Sequence, residues 1–196
     1  MDFGVFLAIW AIPAPQTARQ MTIHSSVRYN WVEEGVRMKV NDKAPAFSLL
    51  DQDGNKVSLK DFAGKTVVLF FYPKADTPGC SVEACGFRDT YKKLQATGAV
   101  ILGISADTSE KQKKFETKFS LPYALLADVD KKACEAFGVI QEKSMYGKKY
   151  MGIARMTFVI GPTGKIQHIY EKVKPDGHAE EVLAYLKSAA DRKSVV

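Results

Sequence analysis

The stretch Thr66-Val67-Val68-Leu69-Phe70-Phe71-Tyr72-Pro73-Lys74-Ala75-Asp76-Thr77-Pro78-Gly79-Cys80-Ser81-Val82-Glu83-Ala84-Cys85 decides how the rest of the chain is read. Its first seven residues form an apolar run too short for a buried helix and rich in β-branched and aromatic side chains, which predicts a central strand. Pro73 and the Pro78-Gly79 pair break that strand. From Ser81 onward, Val82, Ala84, Phe87, Tyr91 and Leu94 recur three or four apart among helix-tolerant residues, which predicts an amphipathic helix. Cys80 therefore sits where a loop becomes a helix N-terminus.

That address has chemical consequences. A helix N-terminus offers unpaired N–H groups and the positive end of the macrodipole, and both favour a thiolate over a thiol. Cys80 is thus a candidate nucleophile. Cys85 follows five residues later; on an intact helix that spacing turns ~500° and rises ~7.5 Å, leaving the Cα atoms roughly 8 to 9 Å apart. A disulfide needs Cα atoms closer than ~7 Å. The two cysteines can join only if the first helical turn melts, so any redox cycle that links them includes a conformational step.

Composition bounds the rest. With 196 residues and 46% hydrophobic content, the chain is long enough for one well-buried domain, and no stretch approaches the ~20 consecutive apolar residues of a membrane span. The net charge of +6 comes from scattered lysines, with clusters at Lys111 to Lys118 and Lys143 to Lys149. Clusters of this size read as solvated faces, and with no arginine stripe or recognition motif nucleic-acid binding is not expected. Three cysteines make no disulfide framework and fit a reducing, cytoplasmic setting. Residues 1–37 differ from the remainder and read as a poorly ordered extension. Phe3 to Ala14 has signal-peptide length, but Asp2 stands where a signal carries a basic residue, so export is the lesser reading. Met21 and Met38 are alternative starts. The domain is expected over 38–190, with a tail at 191–196.

Along the domain, Ala46 to Leu50 and Lys56 to Leu59 flank Asp53-Gly54 as an N-terminal β-hairpin. Gly98 ends the cysteine helix, and Ala99 to Ser105 is a second buried strand, so strand, helix and strand form a parallel βαβ unit. Ser109 is read as the cap of the next helix, with Gln112 completing a capping box. A short strand at Leu125-Leu126 leads to Asp128 as a cap for Lys131 to Phe137. Gln141 to Met151 reads as a lysine-rich loop. Arg155 to Ile160 and Lys165 to Tyr170 pair antiparallel across Gly161-Pro162-Thr163-Gly164, and a helix over roughly Gly177 to Ala190 closes an α/β fold with a mixed sheet.

Spacing alone leaves the cysteine pair ambiguous, since two core cysteines on one helix would look the same. Zinc would need four ligands, and neither a second cysteine pair nor a nearby histidine supplies them. His24, His168 and His178 are far apart and read as surface or packing residues. A thioredoxin-type reductase would carry C-x-x-C at this corner. A nucleophilic thiol with a delayed partner remains. Thr77 lies three residues before Cys80, where its hydroxyl can hold a polar substrate or cap the helix. Cys134, on a later helix, reads as a buried structural thiol.

Pro73-x-x-x-Thr77-x-x-Cys80 resembles the peroxidatic signature of the peroxiredoxins, and Cys80-Ser81-Val82-Glu83-Ala84-Cys85-Gly86-Phe87-Arg88-Asp89 is similar to the peroxiredoxin Q branch, also called bacterioferritin comigratory protein. The likeness runs from Lys39 to about Ala189 and includes Phe71-Tyr72-Pro73-Lys74, Leu102-Gly103-Ile104-Ser105, Phe137-Gly138-Val139 and Gly152-Ile153-x-Arg155. It implies a thioredoxin-like fold, a central mixed β-sheet flanked by helices. It also implies a thiol peroxidase for hydrogen peroxide and organic hydroperoxides that uses no metal or organic cofactor. By the same resemblance Cys80 would be the peroxidatic cysteine, oxidised to a sulfenic acid. Arg155 would stabilise its thiolate, Thr77 would bind the peroxide, Pro73 would shield the sulfur, and Glu83 would orient Arg155. Cys85 would resolve the sulfenic acid as an intramolecular disulfide, reduced by thioredoxin or a similar dithiol. With both cysteines on one chain a monomer suffices. The rival readings are a redox-regulated binding protein or holdase on the same fold, and a general disulfide reductase.

Overall fold

Val67 to Phe71 are each 1% exposed or less, as a strand covered on both faces requires. The computed structural model describes residues 37–145 and 148–193; the extension, including His24, lies outside them. In chain order the elements are β1 (Ser48–Leu50), β2 (Lys56–Ser58), a 3-10 turn (Leu59–Phe62), β3 (Thr66–Phe71), α1 (Pro78–Ala96), β4 (Ala99–Ser105), α2 (Ser109–Phe119), β5 (Ala124–Ala127), α3 (Lys132–Ala136), β6 (Ile140–Met145), β7 (Lys148–Ile153), β8 (Met156–Ile160), β9 (Ile166–Tyr170) and α4 (His178–Lys193).

Seven strands form one sheet in the order β2-β1-β5-β4-β3-β8-β9. β3 pairs in parallel with β4, Leu69 opposite Leu102, and antiparallel with β8, Leu69 opposite Phe158. The expected parallel βαβ unit is therefore β3, α1 and β4, and the N-terminal hairpin is β1 with β2, Ser48 opposite Ser58. Because strand side chains alternate, β3 serves two cores. Val67, Leu69 and Phe71 pack with Phe47, Ile104, Phe137 and Phe158; Val68 and Phe70 pack with Phe87, Leu94, Phe115 and Val182. The second core lies under α1, α2 and α4 and contains Cys80 and Ala84. Gly103 lets β4 pass beneath it: a Cβ there would lie 2.7 Å from the Phe70 ring and 2.8 Å from Leu125.

Several readings are corrected. The segment read as a loop over Gln141 to Met151 belongs to a two-stranded hairpin, β6 with β7, Ile140 opposite Ile153. Its lysines and its one glutamate give no apolar alternation because it pairs only with itself. The helix α1 begins at Pro78, with Thr77 as its N-cap. The proline read as a breaker occupies the first helical position, where its missing N–H costs nothing. Thr108, and not Ser109, caps α2, its hydroxyl accepting from Lys111 N–H. Gln112 completes no capping box; it is fully buried beneath the helix. The Asp128 cap holds in altered form: its carboxylate accepts from Ala133 and Cys134 N–H at 3.3 and 2.8 Å. At the other end α4 runs to Lys193, past the expected Ala190.

Candidate active site

β3 ends at Phe71, Tyr72 is still buried, and the half-buried Pro73 turns the chain out of the sheet. Four residues later Thr77 takes an extended conformation, φ −100° and ψ 150°, and α1 starts. Ser81 N–H donates to Thr77 O at 2.8 Å, so the N–H of Cys80 is among those a helix leaves unpaired at its start. The Cys80 side chain turns inward toward Ala84 and Phe87 and is 2% exposed.

Arg155 reaches the same place from the opposite end of the sequence. It immediately precedes Met156, which pairs with Phe71 in the antiparallel β3–β8 register. That register sets Arg155 beside the corner where the chain leaves β3 for the cysteine loop. Its Nη2 donates to Cys80 Sγ at 3.3 Å, and its Nη1 donates to the Glu83 carboxylate. The guanidinium fills the space over Gly79, where a Cβ would come within 3.2 Å of Nη2. One arginine thus bridges the first turn of α1 to the next.

The electrostatics are those of a partly dry site. Glu83 is wholly buried, and its Oε1 has no hydrogen-bond partner among the described residues. Burial pushes its carboxyl up to about 7, against the pull of the Arg155 charge. Burial works against the charge on Arg155, but Glu83 and the Cys80 sulfur more than offset it, and the guanidinium is held above its ordinary value. Lys143, on the β6–β7 hairpin that the sequence reading took for a loop, donates its amine to Ile153 O. Burial holds that amine below its ordinary value, with the Arg155 charge acting in the same direction.

The remaining candidates fall around this pair. Thr77 Oγ1 donates to Lys74 O at 3.0 Å and makes no capping bond to α1, so of its two expected roles the cap is not the one its side chain plays. Cys85 is a half-buried thiol on the same unbroken helix. Tyr123, which no sequence pattern marked, donates its hydroxyl to Ala84 O at 2.7 Å between the two cysteines. Cys134 is 0% exposed in the other core. His178 is buried with its Nε2 2.8 Å from Thr157 Oγ1, and His168 packs against Tyr185 and Tyr170.

A buried thiol at a helix start, held by an arginine that a buried carboxylate holds in turn, is an arrangement for stabilising negative charge on sulfur and on an atom approaching it. Residues 40–169 match the AhpC/TSA family, and the chain belongs to that family. Within it, the chain falls in the peroxiredoxin Q, or bacterioferritin comigratory protein, branch. It is 49% identical over 153 residues to peroxiredoxin Bcp of Escherichia coli K12, covering 78% of this chain and 98% of that one. Among solved structures, the Xanthomonas campestris bacterioferritin comigratory protein, described for its alkyl peroxide reduction activity, superposes with a TM-score of 0.72 at 37% identity. A cysteine-to-serine mutant of Xylella fastidiosa PrxQ gives 0.76, also at 37%. Each comparison covers 80% of this chain and 99% of the other. The fold is thioredoxin-like, and the protein is a thiol-dependent peroxidase, an oxidoreductase.

Proposed function

We propose that Cys80 is the peroxidatic cysteine and Cys85 the resolving one. The observation that carries this reading is the Arg155 Nη2 to Cys80 Sγ contact of 3.3 Å in the first turn of α1. A lone pair of the Cys80 thiolate attacks the terminal oxygen of a hydroperoxide and forms the S–O bond. The O–O pair leaves on the other oxygen, which takes up a proton and departs as water or an alcohol. Arg155 stabilises charge on sulfur before attack and on the peroxide oxygens during it. The Thr77 hydroxyl, already donating to Lys74 O, has lone pairs to accept the hydroperoxide proton, and Pro73 limits the approach of water. Glu83 is a positioning residue for Arg155.

Resolution follows when the Cys85 thiolate attacks the sulfenic sulfur, expelling hydroxide that leaves as water, and the Cys80–Cys85 disulfide forms. An ideal helix keeps their Cα atoms roughly 8 to 9 Å apart, beyond disulfide reach, so the first turn of α1 must unwind. Burial favours that turn as the mobile one. Phe87 and Leu94 lie further along α1, both 0% exposed, and each fully buried side chain of this kind stabilises by about 1.5 to 3 kcal/mol. In the first turn only Cys80 is buried; Pro78 is exposed and Gly79 and Ser81 are half-buried.

The substrates are hydrogen peroxide and organic hydroperoxides, and the reductant is thioredoxin or a similar dithiol that exchanges with the disulfide. The cycle closes within one chain, so the working unit is a monomer, placed in the cytoplasm with no membrane or nucleic-acid partner. Cys80→Ser is expected to abolish peroxide turnover. Cys85→Ser is expected to hold a sulfenic acid on Cys80 that dimedone captures. Full turnover in Cys80→Ser overturns the assignment.

A further inference from the structure

After β3, Tyr72 N–H still donates to Ile104 O at 3.0 Å, but from Pro73 to Asp76 the backbone makes no bond to a strand or helix backbone among the described residues, and this stretch leads from Pro73 to Thr77. One buried network from α2 and its approach holds it from below. The Ala75 N–H donates to Asp107 Oδ2 at 2.7 Å, and the same oxygen accepts from Ser105 Oγ at 2.8 Å. Ser105 Oγ in turn accepts from Gln112 Nε2 at 2.9 Å. Gln112 also donates to Leu126 O and accepts on Oε1 from the hydroxyl of Tyr72, the residue before Pro73. Ser105 and Gln112 are fully buried and Asp107 is 8% exposed. The network therefore grips the chain on both sides of Pro73.

A second tie lies outside. Asp76 has a φ of +56°, the left-handed region that side chains other than glycine adopt at a cost. Its carboxylate oxygens receive both contacts of Lys118 Nζ, at 2.7 and 2.8 Å. That pair is about half exposed on each side, and exposed ion pairs contribute little. The bond from Ala75 to the largely buried Asp107 carboxylate is the stronger kind, being charge-assisted and more sheltered than the ion pair.

We propose that Asp107 is a positioning residue for the peroxide reaction: by fixing Ala75 it sets the Thr77 hydroxyl in line with the Cys80 sulfur. This rests on Cys80 as the reacting sulfur and Thr77 as the peroxide-binding hydroxyl. Among the described residues no part of the network hydrogen-bonds to the sulfur or its arginine, so its effect is on the geometry of the bound peroxide. A misplacement of about 1 Å costs on the order of 100-fold in rate.

Stopped-flow oxidation of the reduced protein by hydrogen peroxide reads this directly. Asp107→Ala is expected to lower the second-order rate constant by about 10- to 100-fold. Asp107→Asn, which keeps the shape and a neutral oxygen acceptor for Ala75, is expected to lose only about threefold. Lys118→Ala should stay within about twofold. Alkylation of Cys80 by iodoacetamide serves as the control for mere loosening, which would expose the sulfur and speed alkylation; positioning predicts a rate close to wild type. A folded Asp107→Ala protein that oxidises at the wild-type rate overturns the proposal; so does an Asp107→Asn protein that loses about 10-fold or more although Ala75 keeps its acceptor, whether or not Asp107→Ala folds, and so does an alkylation rate that rises while peroxide oxidation falls. Cys80→Ser is run alongside: turnover surviving there contradicts the assignment of Cys80, whereas unchanged oxidation in the Asp107 variants with Cys80→Ser dead contradicts this inference alone.

Discussion

Arg155 Nη2 lies 3.3 Å from Cys80 Sγ, although the two residues are 75 positions apart in the chain. The β3–β8 pairing creates that proximity, and Glu83 locks it by binding the other arm of the guanidinium. Arg155 therefore both favours negative charge at the sulfur and fastens the first two turns of α1 together. In the proposed cycle the second effect must be released before Cys85 can reach Cys80.

Replacing Arg155 should separate chemistry from structure. Arg155→Met is expected to slow Cys80 oxidation by roughly 100- to 1000-fold, the usual loss of a group that stabilises developing charge. Arg155→Lys should recover only part, because one ammonium cannot donate in the fixed fork that serves sulfur and carboxylate together. Stopped-flow peroxide oxidation of the three proteins gives the ranking, and an Arg155→Met protein as fast as wild type would remove Arg155 from the mechanism.

Glu83 should titrate near neutrality. Its carboxyl is raised to about 7 in the folded protein, above the ordinary ~4.3 of an unfolded chain. Between those values the folded state holds a proton that the unfolded state has lost, so the contribution of Glu83 to stability is fully present below about 4.3 and is lost as pH rises through about 7. Urea unfolding of wild type against Glu83→Gln, from pH 5 to 8, is expected to show wild type losing stability relative to the variant, by an amount on the order of a few kcal/mol. A difference independent of pH would place the Glu83 titration elsewhere.

Tyr123 should govern how readily α1 opens. Its hydroxyl donates to Ala84 O at 2.7 Å, between the two cysteines, and a buried hydrogen bond of this kind contributes about 1 kcal/mol. Tyr123→Phe is expected to speed disulfide formation by about fivefold, with Cys80 oxidation unchanged. The two phases of a stopped-flow trace separate these steps, and a slower second phase would show that the bond assists opening.

Cys134 should stay out of the cycle. It is 0% exposed, its N–H donates to Asp128 at 2.8 Å, and burial, with Asp128 adding, pushes its thiol up. Native protein treated with iodoacetamide should remain unmodified at Cys134. Cys134→Ala should cost on the order of 1 kcal/mol in stability and leave peroxide turnover intact. Lost turnover in a folded Cys134→Ala protein would contradict this.

Much of the fold could be read from sequence because its strongest signals are local. The run from Val67 to Tyr72 is apolar at every position, and Pro73 and Gly79 mark the corner that carries Cys80. The misreadings share one cause, which is that tertiary contacts assign roles that local chemistry does not. Gln112 has the spacing of a capping residue, yet its partner is Tyr72, 40 residues away. Pro78 reads equally well as a breaker or as the first residue of a helix. The β6–β7 hairpin lacks apolar alternation because it pairs with no strand but its own partner. Arg155 had no spacing to announce it; the resemblance to peroxiredoxins pointed to it, and only the sheet register explains why it reaches the sulfur. Asp107 carried no signal at all.

The most direct measurement is peptide mapping by mass spectrometry after a stoichiometric pulse of hydrogen peroxide to the fully reduced protein. The proposed mechanism predicts a single chain lighter by the two thiol hydrogens, with Cys80 joined to Cys85 and Cys134 reduced, and a dimedone adduct on Cys80 in Cys85→Ser. Cys80 remaining reduced while another cysteine is oxidised, or a disulfide linking two chains, would contradict it.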